Sequence, residues 1–198
     1  MKKIFIASKN KGKLSEIKSF LGEMEYEIFS LLDAHEMPDI EETGNSFEEN
    51  ALLKARSIFN IVKIPVIADD SGLEVDYLNG APGIYSARYS GENATDKKNN
   101  DKLLKELKDI ETKKRTAAFK CVICLYDGLS ERFFDGVCEG IILTRPKGEK
   151  GFGYDPLFVP NGYTQTFAEL GPEIKNRISH RGKALLSLEK FLKLEEKM

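Results

Sequence analysis

The stretch Val66-Ile67-Ala68-Asp69-Asp70-Ser71-Gly72 decides how the chain is laid out. Its first residues, entered from Pro65, are small or β-branched and read as a buried strand. Two adjacent carboxylates and a Ser-Gly pair follow, which predicts that the strand ends there in a turn. Successive side chains of a strand point to opposite faces, so Asp69 and Asp70 need not share one environment. One reading is a plain turn, in which an Asp side chain bonds the backbone two residues on. The other sends one carboxylate into a ligand site as base or metal ligand while its neighbour orients the turn. Ligand sites of α/β sheets lie at strand ends.

Upstream of this stretch, Lys3–Ala7 reads as a short strand that runs through Ser8–Lys13 into a helix ending at Leu21. Leu14, Ile17 and Leu21 share one face of that helix. A second strand is expected at Tyr26–Leu31. Ser46 and Glu49 form an S-x-x-E capping box, so a helix starts there, with Phe47, Ala51, Ala55, Ile58 and Val62 inward. Downstream, Asn79–Glu92 is a loop rich in Gly, Pro and Tyr, and Thr95–Leu107 is helical. Thr116–Tyr126 and Arg132–Leu143 are long strands joined by a hairpin at Asp127-Gly128. A glycine-rich loop follows, and a last helix begins near Ser179, carrying Ala184, Leu185, Leu188 and Leu192. The mixture, with one antiparallel pair in its middle, predicts a single α/β domain over the whole chain, built on a mixed sheet flanked by helices.

Composition narrows the function. The chain has 198 residues, 41% hydrophobic and 31% charged, enough for a core under a well-solvated surface. A net charge of -2 gives no general attraction to nucleic-acid backbones. No segment approaches the ~18–20 apolar residues of a membrane helix, and Ile4–Ala7 is too short for the core of a signal peptide. Cys121-x-x-Cys124 lies in a strand-like run, so buried structural thiols are expected there rather than a redox or zinc pair. A reducing cytoplasm suits the three cysteines.

Five stretches carry chemistry. Ser8, Lys9, Asn10, Lys11, Gly12 and Lys13 form a strand-to-helix junction, where helix N–H groups and ammonium groups make an anion site. It is not a Walker A loop, and the plainer alternative is a solvated lysine-rich turn. Glu48 and Glu49 serve the helix dipole, whereas Glu41 and Glu42 lie outside the helix, within reach of a metal. The Asp69-Asp70 pair is the third. In the fourth, Gly151 and Gly153 flank Phe152 before Tyr154 and Asp155, giving a loop that offers an aromatic face to a planar base, or else a tight hairpin with an aromatic plug. In the fifth, His180 and Arg181 sit together at a helix start with Lys175 upstream, the plainer alternative being that His180 is a helix-end surface residue.

Together and in this order, "ASKNKGKLSEI", "EETGNSFEENALLKA", "ADDSGLEVDYLNGAPGIYSARYSG", "GFGYDPLF" and "ISHRGKAL" resemble the inosine/xanthosine triphosphate pyrophosphatase family, and the likeness runs from Ile4 to Leu188. The resemblance implies two lobes around a central cleft. It also implies Mg2+-dependent hydrolysis of ITP, dITP and XTP to the monophosphate and pyrophosphate by a cytoplasmic homodimer. By the same resemblance, Ser8 to Lys13 bind the triphosphate, Asp70 is proton acceptor and metal ligand, and Ser71 is a substrate contact. Glu41 or Glu42 is an acidic metal position, Phe152, Gly153, Tyr154 and Asp155 form the base loop, and Lys175, His180 and Arg181 are further base contacts. Ser8 stands where many relatives have Thr, and Lys9 and Lys11 add charge. The competing expectations are a pyrophosphatase for modified pyrimidine nucleotides and a non-catalytic nucleotide sensor.

Overall fold

β1 (Lys2–Ile6) pairs in parallel with β2 (Tyr26–Ser30) and with β3 (Val66–Val75), with Ile6 opposite Ile67. β4 (Thr116–Tyr126), β5 (Glu131–Ile142) and β6 (Phe158–Pro160) complete one six-stranded sheet in the order β2-β1-β3-β4-β5-β6. β5 and β6 run antiparallel, so the sheet is mixed, as the sequence predicts. The helices are α1 (Lys11–Leu21), α2 (Phe47–Val62), α3 (Asp96–Glu106), α4 (Phe167–Leu170), α5 (Pro172–Ile178) and α6 (His180–Glu195). This computed structural model describes residues 2–22, 24–33, 37–38 and 40–195.

β3 departs from expectation. It does not end at the Asp pair but continues through Asp69-Asp70-Ser71-Gly72 to Val75. The Ser-Gly signal reports a close approach of backbone rather than a turn. A Cβ on Gly72 would lie 2.2 Å from the Gly83 carbonyl oxygen and 2.5 Å from Ser86 Oγ. Ser86 Oγ donates to that carbonyl at 2.6 Å and accepts from the Leu73 N–H at 2.9 Å, tying the strand to the loop after it. The acids therefore stand in mid-strand.

The chain forms two compact units. The first comprises Met1–Asp70, Cys121–Gly136 and Arg181–Met198. Its central strands β1, β3 and β4 are buried on both faces, and period-two alternation sorts their side chains. Ile4, Ile6, Ile67, Cys121, Ile123 and Leu125 pack with α1 and α6. Phe5, Ala7, Val66, Ala68 and Cys124 pack with Ala51, Ala55 and Ile58 of α2. The Ser46 hydroxyl caps α2 by accepting the Glu49 N–H at 3.1 Å, an interaction worth about 1 kcal/mol. The return arm of the expected box is displaced: the Glu49 carboxylate takes the N–H of Asn45, not that of Ser46.

The second unit comprises Ser71–Lys120 and Val137–His180. Leu73, Val75, Leu103, Phe119, Ile142, Tyr154, Phe158 and Phe167 are among the residues of its core. Arg115 is buried with its guanidinium donating to the carbonyls of Leu107, Ile110 and Leu143, so the cation satisfies chain-end carbonyls after α3. α4 and α5 were not anticipated. Thr166 and Glu169 build a reciprocal capping box for α4, and Pro172 opens α5, yet each helix is too short to show a period.

Candidate active site

In the first unit the alternation of β3 carries on into the acids. Asp69 follows Ile67 onto the face of α1 and α6, and Asp70 follows Ala68 onto the face of α2. Both are buried, at 2% and 4% exposure. Asp69 Oδ2 accepts from Arg181 Nε at 3.2 Å and Nη2 at 3.1 Å, and lies 3.1 Å from Lys13 Nζ. Arg181 also pairs through Nη1 with Glu16. Burial alone would push the Asp69 carboxyl up, but Lys13, Arg181 and Lys54 outweigh it and hold it well below the usual carboxylate range. Asp69 is thus a fixed anion.

Asp70 has a different set of partners. Asn50 Nδ2 donates to its Oδ2 at 3.1 Å, and Lys54 Nζ lies 3.3 Å from its Oδ1. Lys54 also binds Glu42 Oε1 at 2.6 Å, so one ammonium group gathers two carboxylates. The Gly44 N–H donates to Asn50 Oδ1 at 2.8 Å, which fixes the orientation of that amide and aims its nitrogen at Asp70. Burial raises the Asp70 carboxyl, and the lowering by Lys54 and Lys13 does not cancel it. Lys54 moves up as well: burial opposes its charge, and Asp70, Asp69 and Glu42 overcome that. The two neighbouring carboxyls are therefore set apart in acidity, Asp69 held ionised and Asp70 raised.

Of the two metal candidates, Glu42 joins this cluster and Glu41 is solvent-exposed. Two hard oxygen donors around one cation match how Mg2+ is bound, by one or two carboxylates plus substrate phosphates. Among the described residues no three His, Cys, Asp or Glu side chains gather as a metal group. A Mg2+ ion shared with phosphate does not need three.

Ser8–Lys13 forms the expected junction. Asn10 caps α1, its Oδ1 accepting the Lys13 N–H at 3.0 Å, while Ser8 Oγ accepts the Asn10 N–H at 3.3 Å. Lys9, Asn10 and Lys11 are exposed around the first turn of α1, with Gly12 half-buried beside them. Ser71, next along β3, is half-buried.

The second unit holds the aromatic loop. Asp155 Oδ2 accepts the Phe152 N–H at 2.9 Å and Lys175 Nζ at 2.6 Å, and both charged groups are buried. Lys175 Nζ stands 4.4 Å from the centre of the Phe152 ring. Gly151 has φ +81°, and a Cβ there would meet Asp155 Oδ2 at 2.1 Å, so glycine is what lets the loop close over its own carboxylate. Tyr154 is not a stacking face: it is buried in the core and its hydroxyl donates to the Ser86 carbonyl at 2.8 Å. Phe152, half-buried, is the ring left for that role.

His180 and Arg181, expected with Lys175 as base contacts, have different partners. His180 stacks on Phe119, with ring centres 4.7 Å apart and planes 9° from parallel, whereas Arg181 is committed to Asp69 and Glu16. Consecutive residues at the start of α6 point a third of a turn apart. The sequence reading missed Asn50, Lys54 and Glu16. Asn50 and Lys54 were visible as polar residues on the inward face of α2, in step with Phe47, Ala51 and Ile58.

The Ham1 family model matches residues 4–191. A relative from Oceanobacillus iheyensis named dITP/XTP pyrophosphatase is 52% identical over 194 residues, covering 97% of this chain and 98% of that one. A solved HAM1 protein from Coxiella burnetii superposes with a TM-score of 0.89 at 43% identity, covering 98% of this chain and 99% of the other. The Ham1 protein of Staphylococcus aureus gives 0.87 at 44% identity, with 98% and 100% covered.

Proposed function

Because this chain belongs to the Ham1 family, we propose that it hydrolyses dITP, ITP and XTP to the nucleoside monophosphate and pyrophosphate. The observation that carries the reading is the division of labour at the Asp pair. Asp69 is locked as an anion by Lys13 and Arg181, and Asp70 is raised by burial beside Lys54 and Glu42. Asp70 takes the proton of the attacking water, a role suited to a carboxylate made more basic by burial. Lys13 and the first-turn N–H groups of α1 hold the phosphate tail and stabilise charge on the departing pyrophosphate. Asp70 and Glu42 would hold Mg2+, which when bound screens the roughly four negative charges of the triphosphate and activates water.

The base is assigned to the second unit. Phe152 supplies a stacking face, and Lys175, a donor only, complements a 6-oxo group and opposes a 6-amino group. The working form is read as a homodimer, and the cytoplasm as its compartment, which suits three buried cysteines. The test is product analysis with dITP, XTP, dATP, dGTP and modified pyrimidine triphosphates in the presence and absence of Mg2+. Monophosphate plus pyrophosphate from dITP and XTP is expected. Diphosphate plus phosphate, or binding without turnover, would overturn the reading.

A further inference from the structure

Asp96 and Asn100 lie four residues apart on α3, so their side chains share one helix face. Asp96 Oδ2 accepts the Gly153 N–H at 2.7 Å, and Asn100 Nδ2 donates to the Gly153 carbonyl at 2.9 Å. Side chains of one helix thus hold both polar groups of a single backbone residue. Gly153 has φ +60°, a left-handed conformation that no regular element supports here. Asn100 makes its bond although its Oδ1 stays buried with no hydrogen bond among the described residues, which is unfavourable by itself. On the other side of Gly153 the loop is fixed through Phe152, whose N–H binds Asp155 and whose ring faces Lys175.

We propose that Asp96 and Asn100 are positioning residues that set base selectivity. Their two-point clamp on Gly153 fixes where the Phe152 ring lies against the Lys175 ammonium group. The proposal rests on the reading of this loop as the base site. Both side chains make these hydrogen bonds to the Gly153 backbone. Each acts through the backbone of Gly153, and a ring displaced by a fraction of an ångström weakens recognition of a 6-oxopurine.

Four variants separate the clamp from general damage to α3, whose Thr95 cap they all keep. Asp96→Ala and Asn100→Ala each remove one arm. Asn100→Asp sets an acceptor against the Gly153 carbonyl. Asp96→Asn keeps an oxygen acceptor for the Gly153 N–H and serves as the rescue. Hydrogen exchange of the peptide spanning residues 149–157 is measured in the substrate-free protein, alongside kcat/KM for dITP and dATP. Exchange in Asp96→Ala and Asn100→Ala is expected to quicken, and the dITP-to-dATP ratio to fall about tenfold, mainly through a higher KM for dITP. Asn100→Asp should fall further, and Asp96→Asn should stay near wild type. Thermal melting checks the fold, and Asn100→Ser replaces Asn100→Ala if the latter fails to melt cooperatively. Unchanged exchange, or a kcat loss shared equally by both nucleotides at a constant ratio, overturns the clamp alone. A wild-type enzyme with no preference for dITP overturns both the base reading and the clamp built on it.

Discussion

Asp69 and Asp70 are neighbours in β3 whose carboxylates serve opposite faces of the strand: Arg181 Nη2 holds Asp69 at 3.1 Å, and Lys54 Nζ stands 3.3 Å from Asp70. A strand, unlike a turn, enforces this divergence at every residue. Two acids one residue apart can therefore be given different partners, drawn from α1 and α6 on one side and from α2 on the other. Among the described residues, Asp69, Asp70, Glu16 and Glu42 are gathered by Lys13, Lys54 and Arg181.

Asp70→Asn is expected to lower kcat by ~10²–10⁴ while the protein folds normally. The amide has nearly the same shape but neither the charge nor the basicity. Burial disfavours the Asp70 anion while the buried Lys54 is held by it, so the two effects of the substitution oppose each other and the variant should melt close to wild type. Steady-state kinetics and thermal melting check both halves, and near-normal turnover in the folded variant removes Asp70 from the base role.

Asp69→Asn should show the opposite pattern, a loss of stability. It leaves Lys13 and Arg181 short of their shared anion, and breaking a buried pair costs about 3–5 kcal/mol. The pH dependence has a definite sign. The folded-state pKa of Asp69 lies below its unfolded value near 3.9, so its contribution is complete well above pH 4 and fades as pH falls further. Denaturant melts of wild type and variant should therefore differ at pH 7 and converge toward pH 2. A gap that stays constant over that range would mean the Asp69 charge is not what stabilises.

Much of this arrangement is legible in the sequence, and the remainder is lost for identifiable reasons. α1, α2 and α3 are legible because their apolar positions repeat with helical spacing, and β4 and β5 because they are long and joined by a turn. The continuation of β3 is hidden because a Gly in a strand and a Gly in a turn look alike until Gly83 is seen against Gly72. Glu42 cannot be told from Glu41 in the sequence, since what brings Glu42 to the Asp70 cluster is Lys54, 12 residues away. Arg181 finds Asp69 across 112 residues, a pairing no local pattern encodes.

Cys121 and Cys124 should be inert in the native protein. They fall on opposite faces of β4, Cys121 with Ile123 and Leu125, Cys124 with the α2 side, so the pair cannot close a disulfide. Burial pushes both thiols up to about 12, leaving almost no thiolate at neutral pH. A thiol-reactive chromophore should label neither before unfolding and all three cysteines after it. Rapid native labelling of Cys121 would contradict its burial.

Lys13→Ala should weaken a non-hydrolysable ITP analogue more than IMP, because Lys13 stands at the first turn of α1, where a phosphate tail would end. The lost charge-assisted bond is worth roughly 1.5–3 kcal/mol. The structure adds a second effect: Asp69 loses one of the cations that hold it, so the variant should also melt lower, though less so than an Arg181 variant. Calorimetric titration with both ligands checks the first effect, and equal losses would move Lys13 off the phosphate tail.

Lys175→Met tests whether the buried lysine reads the base or only supports the loop. Its ammonium binds Asp155 at 2.6 Å and faces the Phe152 ring at 4.4 Å, so removing it disturbs more than one contact. Asp155 would keep the Phe152 N–H but lose its cation, and some loss of stability is expected. A purely supporting lysine would lower activity on every nucleotide alike. A lysine that donates to the 6-oxo group behaves differently, because a site built for a hydrogen bond can reject the mismatched 6-amino group by up to ~10⁴-fold. Its loss should then fall mainly on ITP and narrow the ITP-to-ATP ratio of kcat/KM, while ATP hydrolysis changes little. Asp155→Asn with Lys175→Met removes the stranded charge and should recover stability without recovering the ratio. Guanine shares the 6-oxo group, so discrimination against GTP should be weaker from the outset and less affected by the substitution. A ratio that holds in the folded double variant assigns Lys175 to the loop and takes it away from the base.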